Sequence, residues 1–177
     1  QSMNGRIFTG VFCLAPYLLL GCINADTTAR TASVTSGALT NAAGGLIRVL
    51  EGTAGQRTLG LELDNRGTLQ IERTTSLNKS GGKHRFAGTV DLAAGTTLTI
   101  GTGGLVETTH AGANWTGTGT LDLPSSQPFI LETGLTLSTI TLNLQSVIVQ
   151  GPGTVTVPLG RTLTLQTTTM NAPLNVL

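Results

Sequence analysis

Two carboxylates in this chain stand at matching places. Asp91 and Asp122 each take the fourth position of a Gly-Thr-Φ-Asp-Leu run, where Φ is apolar (Gly88 to Leu92 and Gly119 to Leu123). Glycoside hydrolysis uses such a pair, one carboxyl to protonate the leaving oxygen and one to activate water or attack the sugar. If the two runs lie on successive rungs of a stacked fold, the carboxylates share an outward column about 5 Å apart, the spacing of neighbouring strands. The matching place in a later copy of the run is Thr156, so the column stops at two. Two outward acids on a threonine-rich strand also serve simply to keep it soluble. That plainer role is the expectation, and polysaccharide chemistry is the alternative.

Lys83-His84-Arg85 follows Ser80-Gly81-Gly82 and reads as a loop or strand edge that could meet phosphate or an acidic glycan. Exposed basic residues at an edge equally act to block unwanted strand pairing. Trp115, the lone tryptophan, could stack on a sugar, but with aromatics at only 3% of the chain, packing under a loop is the expectation. His110 falls beside Ala111-Gly112, where the sequence predicts a turn and offers no acid–base partner. Cys13, Cys22, His84 and His110 lack the paired spacing of a zinc site, so no metal or cofactor is expected. Gly101-Thr-Gly-Gly104 lacks the lysine and helix of a phosphate loop, and Asn78-Lys-Ser80 and Asn114-Trp-Thr116 match the glycosylation triplet at chance frequency. Thr-x-Thr pairs recur at Thr97/Thr99, Thr116/Thr118, Thr118/Thr120, Thr139/Thr141, Thr154/Thr156 and Thr162/Thr164. A flat threonine array can order water and bind ice, although strand propensity alone favours the same pattern.

Composition says what must position these residues. Charged residues are 11% of 177, less than half the roughly 25% of ordinary soluble domains. Threonine is the commonest residue and glycine numbers 24, a mixture that suits strands joined by tight turns. The net charge of +1 gives no electrostatic case for nucleic acid. Arg48, Arg57, Arg66, Arg73, Lys79, Lys83 and Arg85 cluster, but Glu51, Glu62, Asp64, Glu72 and Asp91 are interspersed, as on a solvated face.

Gly88-Thr-Val-Asp-Leu-Ala-Ala-Gly-Thr-Thr-Leu-Thr-Ile100 and Gly153-Thr-Val-Thr-Val-Pro-Leu-Gly-Arg-Thr-Leu-Thr-Leu165 are near-copies, each a strand, a turn and a strand. Internal repetition of this kind marks a solenoid. Gly-Thr-Φ-x-Φ begins at Gly67, Gly88, Gly119 and Gly153, spacings that suggest rungs of three short strands. Apolar residues alternate with threonine or a charge, as in Leu121-Asp-Leu123 and Val155-Thr-Val157, putting one set inward. The fold class predicted is all-β: a single-domain parallel β-helix over residues 35–177, with a β-sandwich as the alternative. Strands are expected at Leu59 to Leu63, Thr89 to Leu92, Thr96 to Ile100 and Thr120 to Leu123, among others.

Gln1-Ser-Met3 reads as a cleavage scar from an expression tag. Residues 4–34 hold an apolar run, Ile7 to Leu20, that is either a secretory signal or a cap over the open end of the solenoid. The run is short of the roughly twenty residues of a membrane-spanning helix. Leu19-Leu-Gly-Cys22 resembles a lipoprotein lipobox, in which Cys22 would be acylated and anchor the chain to a membrane. A Cys13–Cys22 disulfide and two free thiols both stand open. The ending, Asn171 to Leu177, looks like an interrupted rung, which predicts a fragment of a longer protein.

Gly67-Thr-Leu-Gln-Ile71, Ala94-Gly-Thr-Thr-Leu-Thr-Ile-Gly101 and Gly117-Thr-Gly-Thr-Leu-Asp-Leu123 resemble the Gly/Thr-rich repeats of bacterial surface and autotransporter-like parallel β-helix proteins. The resemblance covers most of the chain after residue 35. It implies secretion or display on a bacterial surface and often adhesion, and it transfers no catalytic residue. The function expected is a non-catalytic secreted or cell-surface stalk or adhesin segment, with a polysaccharide-active enzyme or an ice-binding solenoid as alternatives. Its partners would be a glycan or another surface protein, reached through the charged stretch Arg48 to Asp91, or further copies of itself, end to end or side by side.

Overall fold

Each turn of the chain lays down three short strands, and strands of successive turns pair in parallel, with one interruption on the third face. The computed structural model describes residues 33–34, 37–51, 55–101 and 106–177. The tag scar, the apolar segment up to residue 32, the Cys13–Cys22 pairing and lipidation at Cys22 lie outside them. Seven layers are stacked over about six turns. Face A runs unbroken through Ser33–Val34, Arg57–Leu59, Thr75–Leu77, Thr97–Ile100, Thr120–Leu123, Thr141–Gln145 and Leu163–Gln166. Face B comprises Ala38–Asn41, Glu62–Asn65, Lys83–Phe86, Glu107–His110, Pro128–Leu131, Ile148–Gln150 and Thr169–Met170.

Face C is split. Leu46–Val49, Thr68–Ile71, Thr89–Leu92 and Asn114–Gly117 form one sheet, while Leu135–Thr136, Val155–Val157 and Leu174–Val176 form another. All strand pairings among the described residues are parallel, which makes them a β-solenoid and removes the sandwich, whose sheets are antiparallel.

Alternation builds the core. In Thr97–Ile100 and Thr120–Leu123 the first and third residues face out, half-buried, while Leu98, Ile100, Leu121 and Leu123 face in and are wholly buried. Parallel register puts like on like: Leu77 pairs with Ile100, Leu121 with Leu142, and Leu123 with Leu144. Columns of aliphatic side chains thus fill the interior along the whole stack, each layer burying the one beneath it.

The two near-copies occupy equivalent places three layers apart, each running from face C around a corner to face A. At those corners the Thr96 amide donates to the Ala93 carbonyl (3.1 Å) and the Arg161 amide to the Pro158 carbonyl (3.0 Å). Gly95 and Gly160 take φ of +74° and +77°, the third position of a type II turn, where a side chain is strained. A second glycine role is steric. At the corner between faces B and C, a Cβ on Gly88 would strike the Gly67 carbonyl oxygen, and one on Gly67 the Gly45 carbonyl oxygen.

Two strand expectations need correction. Leu59 to Leu63 is not one strand: Arg57–Leu59 ends on face A, and Glu62–Asn65 begins face B after a bend. Lys83 to Arg85 is not a loop but part of the strand Lys83–Phe86. One turn consumes between 18 residues (Leu59 to Leu77) and 25 (Val90 to Trp115). The 31-residue step from Gly88 to Gly119 is therefore more than a turn, and those two motifs begin strands on different faces.

Candidate functional site

That step separates the carboxylates. Asp91 lies on face C, in register with Gln70 and Thr116, and accepts a hydrogen bond from the Thr116 hydroxyl (2.9 Å). Asp122 lies on face A, between Thr99 and Asn143. The shared column of acids is not formed, because the Gly-Thr-Φ-Asp-Leu run marks a strand start at two different corners. Partial burial pushes the Asp122 carboxyl above the usual aspartate range.

The basic triplet is divided by the same alternation. Lys83 and Arg85 face out, where Lys83 meets Glu107 of the next layer (3.6 Å) and Arg85 meets Glu132 (3.0 Å). His84 between them faces in and is 1% exposed, so the three cannot act as one anion-binding patch. Burial pushes its imidazole down to about 4, since the charged ring would have to leave water. Neither His84 ring nitrogen has a protein hydrogen-bond partner among the described residues. Arg57, grouped by sequence with a solvated basic stretch, also points inward and is buried.

His110 and Trp115 do come together. His110 ends the strand Glu107–His110 rather than sitting in a turn, and Trp115 faces inward from Asn114–Gly117. The Trp115 indole N–H donates to His110 Nδ1 (3.2 Å), and His110 Nε2 lies 3.1 Å from the Gly134 carbonyl. These partners select the neutral Nε2–H tautomer. Burial lowers the His110 pKa, opposed by the Gly134 bond and the charge of Glu132. Phe86 packs against Trp115 with ring centroids 5.3 Å apart. The cluster sits where face C is interrupted between Asn114–Gly117 and Leu135–Thr136, and Trp115 is buried there with its ring closed to a sugar.

The outward ionic contacts tie the solenoid to itself. Arg48 bonds Glu72 one turn on (2.6 Å), and Arg66 bonds Asp64 (2.7 Å). Within the wall, the Asn41 side-chain amide donates to Asn65 Oδ1 (2.7 Å), and Asn65 donates onward to the Thr89 carbonyl (3.0 Å). Sequence reading missed this asparagine ladder, although Asn41 and Asn65 each end an alternating strand. Arg161, the lone charge after Thr133, donates to the Thr139 and Ile140 carbonyls one layer back.

On the outward side of face A the fold gathers threonines into rows. Thr97, Thr120 and Thr141 stand in register on face A, and Thr162 follows opposite Thr141, one residue before the Leu142–Leu163 pair. Beside them run Thr99, Asp122, Asn143 and Thr164, also in register. Thr116, Thr154 and Thr156 belong instead to face C or its border. The array thus cuts across the pairs visible in sequence.

No family model matches this chain, and neither the curated proteins nor the solved structures yield a match.

Proposed function

We propose that this chain is a non-catalytic β-helical segment of a secreted or cell-surface protein, serving as a stiff stalk or adhesin segment. The observation that carries the reading is where its polar chemistry is spent. Lys83–Glu107, Arg48–Glu72 and Arg85–Glu132 each join one turn to another, and the Asn41–Asn65 ladder does the same inside the wall. These bonds brace a rod lengthwise instead of converging on a ligand. Stacked aliphatic columns let such a rod extend by about 4.8 Å per layer with no change of design. Display follows as the use of a rod, with the charged outer layers between Arg48 and Asp91 as the contact region for a glycan or another surface protein. Any membrane anchoring would run through Cys22.

The test is the location and intact mass of the protein in its native host, in medium, membrane and cytosolic fractions, with protease shaving of intact cells. Recovery from the medium or the shaved surface supports display, and a lipid-bearing chain starting at Cys22 identifies the anchor. Confinement to the cytosol overturns the reading. Turnover of a polysaccharide by the purified chain would overturn its non-catalytic part.

A further inference from the structure

We propose that face A, from the layer of Thr97 to that of Thr164, is a binding surface for crystalline water. This inference does not rest on the display reading, only on the fold.

Eight outward positions form the surface: Thr97 and Thr99, Thr120 and Asp122, Thr141 and Asn143, Thr162 and Thr164. Parallel in-register pairing sets the spacing along the solenoid at about 4.8 Å, and alternate residues on one strand stand about 6.6 Å apart. The result is a two-dimensional grid of short side chains, six of them threonine, each offering a methyl and a hydroxyl. Threonine is stiff about χ1, so the grid is set before any ligand arrives. Its floor is fixed too, because Leu98, Ile100, Leu121, Leu123, Leu142 and Leu144 are buried directly beneath.

The occupant is argued from what these eight positions carry. None is lysine, arginine or glutamate, so a charged polymer finds no counter-charge. None is aromatic, so a sugar ring finds no stacking platform, and none is a large apolar residue of the kind that anchors a protein partner. The one acid, Asp122, is half-buried in the face, and burial pushes its carboxyl above the usual aspartate range. Apart from that one carboxyl, the surface is a regular lattice of neutral hydrogen-bonding groups, which suits an uncharged, ordered ligand. The other faces lack the same continuity: face B carries Glu62, Lys83, Glu107, Asp64 and Arg85, and face C is broken between its fourth and fifth layers.

The experiment uses the full chain in ice recrystallisation and crystal-shaping assays. The parent protein is expected to facet growing ice and to slow recrystallisation. Thr120→Lys with Thr141→Lys, on face A, is expected to lose both effects, while Thr68→Lys with Thr89→Lys, outward on face C, retains them. Thermal melts establish that each variant is folded. Should the lysine pair fail to fold, Thr120→Val with Thr141→Val keeps the shape, and loss of crystal shaping is again expected. A parent that neither facets ice nor slows recrystallisation overturns the proposal. So does an equal loss in the face C variant, or binding to crystalline cellulose or chitin without any effect on ice.

Discussion

His84 should make this solenoid acid-sensitive in a way that one substitution abolishes. Its ring is 1% exposed, follows Leu63 in the column, pairs in register with Thr108, and has no protein hydrogen-bond partner among the described residues. The folded-state pKa is lowered to about 4 from 6.5. Because the unfolded chain takes up that proton first, the group's contribution is intact above pH 6.5 and is lost as pH falls from there toward the folded value. At 1.36 kcal/mol per unit, the loss is about 2 kcal/mol at pH 5 and about 3 kcal/mol near pH 4. Urea unfolding followed by the fluorescence of Trp115, the lone tryptophan, measures it at steps between pH 7.5 and 4. Comparison with His84→Leu separates His84 from His110 and from the carboxylates, which remain in both proteins. Near pH 7.5 the variant should equal or exceed the parent in stability, since a buried group without partners is replaced by an apolar one. Parallel stability profiles for the two proteins between pH 6.5 and 5 would refute the reasoning.

Other residues give sharper local tests. Trp115→Phe keeps a ring beside Phe86 but strips His110 Nδ1 of its donor, so urea unfolding at pH 8 should show a loss of about 1–3 kcal/mol. Gly88→Ala puts a methyl into the Gly67 carbonyl and should abolish cooperative thermal unfolding, whereas Gly95→Ala meets nothing within 4 Å. Its φ of +74° should still cost about 1–2 kcal/mol in the same melts. Arg85→Ala breaks a surface pair whose side chains are 42% and 48% exposed, and should change stability by about 1 kcal/mol or less. Asp122→Asn should stabilise the chain at pH 7 but not at pH 3, because a carboxyl with a raised folded pKa loses its contribution as pH climbs through that value.

The solenoid was legible because its signal is periodic. Alternation in Thr97–Ile100 and the copied strand–turn–strand around Gly95 and Gly160 each require inward columns and tight corners, and both appear as expected. What the local sequence could not supply was the phase of the helix, the face on which a given motif begins. Asp91 and Asp122 carry the same local motif, but turns of 18 to 25 residues place equal motifs on different faces. Strand length alone cannot tell which corner a glycine begins. His84 was misplaced for a related reason: three consecutive basic residues look exposed, yet a strand must turn the middle one inward. The face A array could have been found by aligning Thr97, Thr120 and Thr141 at steps of 23 and 21 residues. That alignment required the register that the structure supplies.

The stacking itself is open to direct measurement. Spin labels on cysteines at Glu62 paired with Pro128, Ile148 or Thr169, all outward on face B, should report separations that grow by one strand spacing per layer. With Cys13 and Cys22 replaced by serine, the backbone distances expected are about 14, 19 and 24 Å for three, four and five layers. Dipolar spectra showing that even progression establish the parallel solenoid. Separations that fail to increase from Pro128 to Ile148 to Thr169 would contradict it, and the face A grid and the lengthwise bracing would fall with it.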